Sequence, residues 1–368
     1  MAVDEPRMLK LRSVAEFLAF VPYALGFNPQ TSLVAVGFHH QRVTFATRMD
    51  LPTADTPRTE IHARLRQFAA AVARQDATEA VIVGYGPASL VDPVTHDVQD
   101  IFASHGVRVR DLLRVQDNRY FSYRCHEPSC CPPEGTAFDP ASSIIAAYAT
   151  VAGRVVQPDR ATLAATLAPI EGAAMAGMRQ AGQRARALLD ERAAAAAAGA
   201  DAAPVPNSGP EPQHDQARTR RQVAAIAAIA EKAGRDAVVQ ALDRYRHGET
   251  LSDDDAAWLL LLLDDLPVRD FAFTYSDNVD DQIQLWTDLT RRAEPGLVRA
   301  PATLLAFTAW RRGEGTLAKV AVDRALADDP TYSMAHLLTE LLASGASPST
   351  WEGWGDIDGD DPPGTTER

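Results

Sequence analysis

The β-branched, apolar runs that build strands occur in the first 140 or so residues of this chain and then stop. Residues 32–38 are nearly continuously apolar, as an interior strand requires. Residues 43–50 alternate: Val43, Phe45 and Met49 point one way, and Thr44, Ala46, Arg48 and Asp50 the other. A polar His39-His40-Gln41 turn joins the two as a hairpin. Further strands are predicted at 80–83, 107–115 and 119–123. Helices lie between them. One spans 57–74, with Ile61, Leu65, Phe68, Ala69 and Val72 at helical spacing; another spans 91–104, with Gly106 as its C-cap. A short helix begins at the capping box Ser13-Val14-Ala15-Glu16 and is expected to stop before Pro22. Beyond about residue 140 alanine dominates, and helices are expected at 141–151, 159–167, 170–198 (stopped by Gly199) and throughout 218–344. This order predicts an α/β domain with a mixed sheet, then an all-α helical domain.

The 368 residues exceed one ordinary core. The predicted division is a mixed α/β domain at 1–150, connecting helices at 151–199, a disordered linker at 200–217, an all-helical domain at 218–345 and an acidic disordered tail at 346–368. Pro204, Pro206, Pro210 and Pro212 mark the linker. Ser252-Asp253-Asp254-Asp255 caps a helix through Trp258, and Pro267 and Pro301 suit first-turn positions. The tail's Asp356, Asp358, Asp360 and Glu367 imitate a calcium loop, but Asp361 stands where its sharp-turn glycine is needed.

A net charge of -13 argues against nucleic acid and anionic membrane surfaces. No apolar run reaches the roughly 18 residues a bilayer span needs. The N-terminus lacks a basic region followed by an apolar one, and the odd cysteine count suits a reducing cytoplasm.

All three cysteines fall in Arg124-Cys125-His126-Glu127-Pro128-Ser129-Cys130-Cys131-Pro132-Pro133-Glu134-Gly135. Cys125, His126, Cys130 and Cys131 are therefore candidate metal or redox residues. The cofactor is not fixed by these residues; a zinc ion among them would need help from His126 or a distant His39, His40, His96 or His105. Adjacent side chains diverge in an extended backbone, which counts against Cys130 and Cys131 sharing one ion. A disulfide from Cys125 to either of them is an alternative, as is a rigid turn in which small buried thiols fill space. A nucleophilic cysteine would need a base within reach, and no motif fixes one. Arg48 and Asp50 share a strand face and could bind a polar ligand beside Asn28, Ser32 and Arg124. Gly84-Tyr85-Gly86 follows a strand as phosphate loops do, but lacks the rest of either standard fingerprint.

Leu305, Gly313, Ala318, Val322, Ala325 and Pro330 are spaced like one tetratricopeptide unit and a half. A wider resemblance is carried by Pro22-Tyr23-Ala24-Leu25-Gly26-Phe27-Asn28-Pro29-Gln30-Thr31-Ser32-Leu33-Val34, by Arg48-Met49-Asp50-Leu51-Pro52, by the cysteine segment, and by Ala309-Trp310-Arg311-Arg312-Gly313-Glu314-Gly315 through Asp329-Pro330-Thr331-Tyr332-Ser333. Together these resemble the actinobacterial family catalogued as domain of unknown function 4192. The resemblance implies an architecture and makes the alanine–proline region a variable insertion; it implies no reaction. With no catalytic constellation evident, the chain reads as a binding or scaffold protein whose helical domain engages a protein partner. The rival is an enzyme or a redox- or metal-dependent sensor centred on Cys125, Cys130 and Cys131.

Overall fold

The structure, a computed structural model, describes residues 11–151, 155–201, 211–275, 279–346 and 348. The chain divides into two compact units, one of residues 1–24, 29–153 and 341–368, the other of residues 25–28 and 154–340. The first holds α1 (Val14–Leu25, save its last residue), α2 (Arg58–Ala73), α3 (Ala88–Ser104) and α4 (Ile144–Val151) with six strands. These are β1 (Ser32–His39), β2 (Arg42–Asp50), β3 (Glu79–Tyr85), β4 (Arg108–Gln116), β5 (Arg119–Ser122) and β6 (Thr136–Ala137). They form one mixed sheet in the order β2-β1-β3-β4-β5-β6, in which only β3 and β4 run parallel among the described strands.

The predicted strands and helices of this unit are present. β1 is buried along seven of its eight residues, as its apolar run requires. His40 and Gln41 both take positive φ (47° and 69°), as do Asp117 and Asn118 (51° and 55°), so both hairpins turn in the twist-matching primed geometry. Ile61, Leu65, Phe68, Ala69 and Val72 are the buried stripe of α2. They pack with Val91, Val94, Val98 and Phe102 of α3 against Leu33, Ala35, Ala80 and Ile82 of the sheet.

Three local expectations are corrected. α1 passes through Pro22 instead of stopping before it, because Leu18, Val21 and Leu25 are buried along the same helix and outweigh one lost amide donor. Ser13 does cap the helix, accepting from Glu16 N at 3.1 Å. β3 continues through Gly84 and Tyr85, so this glycine belongs to the strand and not to the turn expected to close it. A Cβ at Gly84 would lie 2.3 Å from Val91 Cγ1: glycine is required there for α3 to approach the sheet. The two-residue β6 was not foreseen, being too short to show periodicity.

The second unit holds α5 (Arg160–Ala165), α6 (Gly172–Asp201), α7 (Glu211–Arg246), α8 (Asp253–Leu262), α9 (Leu266–Thr274), α10 (Val279–Arg292), α11 (Arg299–Arg311), α12 (Gly315–Asp328) and most of α13 (Ser333–Ser344), and no named strand among its described residues. α11 is its centre, buried from Ala300 to Trp310. The Ser252 cap is as expected, accepting from Asp255 N at 3.1 Å, and Asp159 caps α5 in the same way, accepting from Thr162 N at 2.7 Å. Arg292, its side chain only 9% exposed, ties α10 to the start of α8 through Asp288 (3.0 Å), Asp253 (2.6 Å) and the Leu251 carbonyl (2.9 Å).

Two boundaries move. Residues 151–199 are not merely connecting, because α6 packs on α7 and α8 within the helical unit. α6 continues past Gly199, and helix resumes at Glu211 within the expected linker, with Pro212 in the first turn where its missing N–H has no partner to lose. The rest of that linker, 202–210, and the tail beyond 348 lie outside the described residues.

Candidate functional site

β5 ends at Ser122, and the chain then leaves the sheet as a surface turn whose construction is local. Ser122 Oγ accepts from Arg124 N (3.2 Å) and Cys125 N (3.0 Å), fixing the exit of the strand. Pro128 sits at the second position of the next turn, where its fixed φ is favourable. The Glu127 carbonyl accepts from Cys130 N (3.2 Å) and Cys131 N (2.8 Å), so residues 127–131 form one helical turn. A second turn follows, closed by Gly135 N donating to the Pro132 carbonyl at 2.8 Å. Gly135 has φ 80°, and the Phe121 ring lies beneath it, so close that an added Cβ would be 2.6 Å from Phe121 Cζ. Phe121 in turn carries the Arg114 guanidinium 3.8 Å from its ring centroid. Arg119 donates to the Gly135 carbonyl (2.7 Å) and the Glu134 carbonyl (3.3 Å). The chain then returns as β6.

These turns bring the three sulfurs together. The Sγ atoms of Cys125, Cys130 and Cys131 all lie within 4.8 Å of one another, and no other group of three or more His, Cys, Asp or Glu donors is so close among the described residues. The Cys125 and Cys130 sulfurs lie 3.2 Å apart. Cys130 is exposed and the other two half-buried, so these thiols do not fill core space. The expectation that Cys130 and Cys131 must diverge fails because their backbone is helical and not extended.

The electrostatics single out one sulfur. Cys125 is held below the ordinary thiol range, first because the Glu127 amide hydrogen-bonds it, then because Cys131 and Cys130 do so too. Cys130 is raised chiefly by its bond to Cys125, and for the same reason Cys131 is pushed up to about 12. Of the three thiols, Cys125 is therefore the one favoured to ionise first, stabilised by its two neighbours. Such a group could hold a metal ion.

The other candidates separate. His126 is exposed and outside the sulfur group. His39 and His105 are committed through Nδ1 to the Asp76 and Ile101 carbonyls (2.8 and 2.9 Å), and neither they nor His40 and His96 join the thiols. Arg48 pairs with Asp50 and reaches Ser32 Oγ at 3.3 Å, so these three do meet. Asn28 belongs to the helical unit, where its amide bonds the Gln157 carbonyl at 2.9 Å. Arg124 donates to the Val109 carbonyl of β4, two strands beyond β1, and lines no site with Arg48. Sequence reasoning missed the platform of Arg114, Arg119, Phe121 and Ser122. The signals for its turns were visible, in Pro128 and in Pro133 two residues before Gly135.

No helix among the described residues is long and apolar enough to cross a membrane. No curated protein and no solved structure matches the chain. The family model described as domain of unknown function (DUF4192) matches residues 15–349, a span that takes in both units, the three-thiol turn and every segment that carried the resemblance. The chain belongs to the DUF4192 family.

Proposed function

We propose that the three-thiol turn is a zinc site and that the protein acts through it, with Cys125, Cys130 and Cys131 as three thiolate ligands and a fourth position left to water or an incoming ligand. The observation that carries this reading is the approach of all three sulfurs to within 4.8 Å on a solvent-accessible turn. Tetrahedral zinc with Zn–S bonds of about 2.3 Å separates its sulfurs by about 3.8 Å, so small side-chain rotations suffice. Thiolates select zinc over magnesium or calcium, and three protein ligands with an open position suit catalysis or sensing. A reducing compartment such as the cytoplasm would keep the set intact.

Cobalt substitution tests this. Reduced full-length protein should bind one Co(II) per chain with a thiolate charge-transfer band and release it to one equivalent of zinc. Each single Cys→Ser variant should weaken binding by more than about a hundredfold, beyond what loss of an outer partner costs. Undiminished binding in all three variants would refute the assignment.

The helical unit supports a second reading, that of a scaffold for a protein partner. Leu188 of α6 (38% exposed) and Val223 and Ile229 of α7 (61% and 40%) present apolar side chains to solvent, as a surface that receives a partner's helix would. Full-length protein should recover a specific partner in a pulldown, and Val223→Glu with Ile229→Glu should abolish that recovery. Equal recovery with and without the charges would remove the reading.

A further inference from the structure

We propose that Cys125 and Cys130 are a redox-active dithiol that reduces hydroperoxides by closing a reversible disulfide, with Cys131 remaining a thiol. The proposal goes beyond zinc binding and does not rest on it; only its consequence for the metal does.

Geometry selects the pair. The Cys125 and Cys130 sulfurs are 3.2 Å apart, against about 2.05 Å in a disulfide, so bond formation needs an approach of little more than 1 Å. Cys130 is exposed and Cys125 half-buried on a surface turn, and neither belongs to the buried core. A bond between Cys130 and Cys131 is disfavoured, because adjacent Cα atoms lie about 3.8 Å apart, less than the roughly 4.4 Å minimum for ordinary disulfides. Cys131 also lies within 4.8 Å of both sulfurs, so Cys125–Cys131 is the competing pairing, and the Cys130→Ser variant below is the arm that separates the two. The loop closed by residues 125–130 is short, so the crosslink removes little unfolded-chain entropy, and an exposed, weakly stabilised disulfide is one that thiols reopen readily.

The chemistry balances. One sulfur of the pair, as thiolate, attacks the terminal oxygen of a hydroperoxide; the O–O bond breaks, a sulfenic acid forms, and the alcohol leaves after taking up a proton. The second thiol then displaces that hydroxyl as water and the S–S bond forms. Two thiols and one hydroperoxide give one disulfide, one alcohol and one water; the two electrons come from the sulfurs. A small thiol restores the pair by exchange. If zinc is bound, oxidation removes two of its three ligands, and the metal leaves.

Because the chain has three cysteines, thiol counting is decisive. Reduced, chelator-treated full-length protein is exposed to one equivalent of hydrogen peroxide, and free thiols are titrated before and after dithiothreitol. The wild type should fall from three thiols to one, and Cys131→Ser from two to none. Both should recover with dithiothreitol and run as monomers on a non-reducing gel. Cys125→Ser and Cys130→Ser should show no such paired, reversible loss, while circular dichroism shows all three variants folded. A paired loss in Cys130→Ser, crosslinked dimers, or no dithiothreitol-reversible loss in the wild type would overturn the assignment. A parallel arm starts from protein incubated with one equivalent of zinc. Release of that zinc in step with the loss of two thiols supports the coupling. Disulfide formation in a protein that never retained zinc would sink the zinc reading and leave the dithiol standing.

Discussion

Gly135→Ala should lower zinc affinity by about tenfold or more while leaving the sheet folded. Two effects add at this position. The backbone is left-handed (φ 80°), which costs a residue with a Cβ about 1–2 kcal/mol. The Cβ would also lie 2.6 Å from Phe121 Cζ, a distance that real Cβ atoms do not tolerate. The Phe121 ring cannot simply yield, because it sits against the Arg114 guanidinium. The turn must shift instead. Glu134 and Gly135 are held by Arg119, and Thr136 Oγ1 reaches the Cys130 carbonyl at 3.5 Å, so the displacement passes to the sulfurs. Gly106→Ala is the control: φ there is 78°, yet nothing lies within 4 Å of the added carbon. It should cost similar backbone strain and leave zinc affinity unchanged. Competition against a chromogenic chelator reads both variants. Wild-type affinity in Gly135→Ala would show that the Phe121 platform does not position the thiols.

The largest loss of stability is expected at Trp286. Its side chain on α10 is 0% exposed and the largest of the fully buried ones. Truncation to alanine removes its burial and leaves a cavity that neighbouring helices fill only in part, a cost of about 3–5 kcal/mol. That is a large share of an ordinary domain's stability. Trp286→Phe should cost much less than its loss of volume suggests. The indole Nε1 is buried without a hydrogen-bond partner, so the smaller ring removes an unsatisfied donor along with the contacts. Thermal unfolding followed by far-ultraviolet circular dichroism, which the helical unit dominates, should order the midpoints as wild type, then Phe, then Ala. Equal midpoints for the Phe and Ala variants would contradict the packing argument.

Where periodicity and burial agree, the sequence is legible. The stripe of α2 and the apolar run of β1 are read correctly because a two-sided core leaves one solution for each pattern. The caps at Ser13 and Ser252 are legible because a side-chain oxygen there has one obvious task. Punctuation residues mislead where packing overrides them. Pro22 and Gly199 lie within helices, and Gly84 is retained for α3 and not for a ligand. The thiol cluster was legible as a location but not as a geometry. Whether Cys130 and Cys131 converge depends on one backbone choice, the helical turn on the Glu127 carbonyl, and side-chain spacing alone does not encode it. The grouping of Arg124 with Arg48 failed for a different reason. It needed the strand order, which places β1, β3 and β4 between β2 and β5.

X-ray absorption at the zinc edge, on reduced full-length protein loaded with one equivalent of zinc, tests the central claim most directly. The proposed zinc site predicts three sulfur scatterers at about 2.3 Å and one oxygen or nitrogen at about 2.0 Å. A shell of oxygen and nitrogen alone, or protein that retains no zinc through gel filtration, would contradict it.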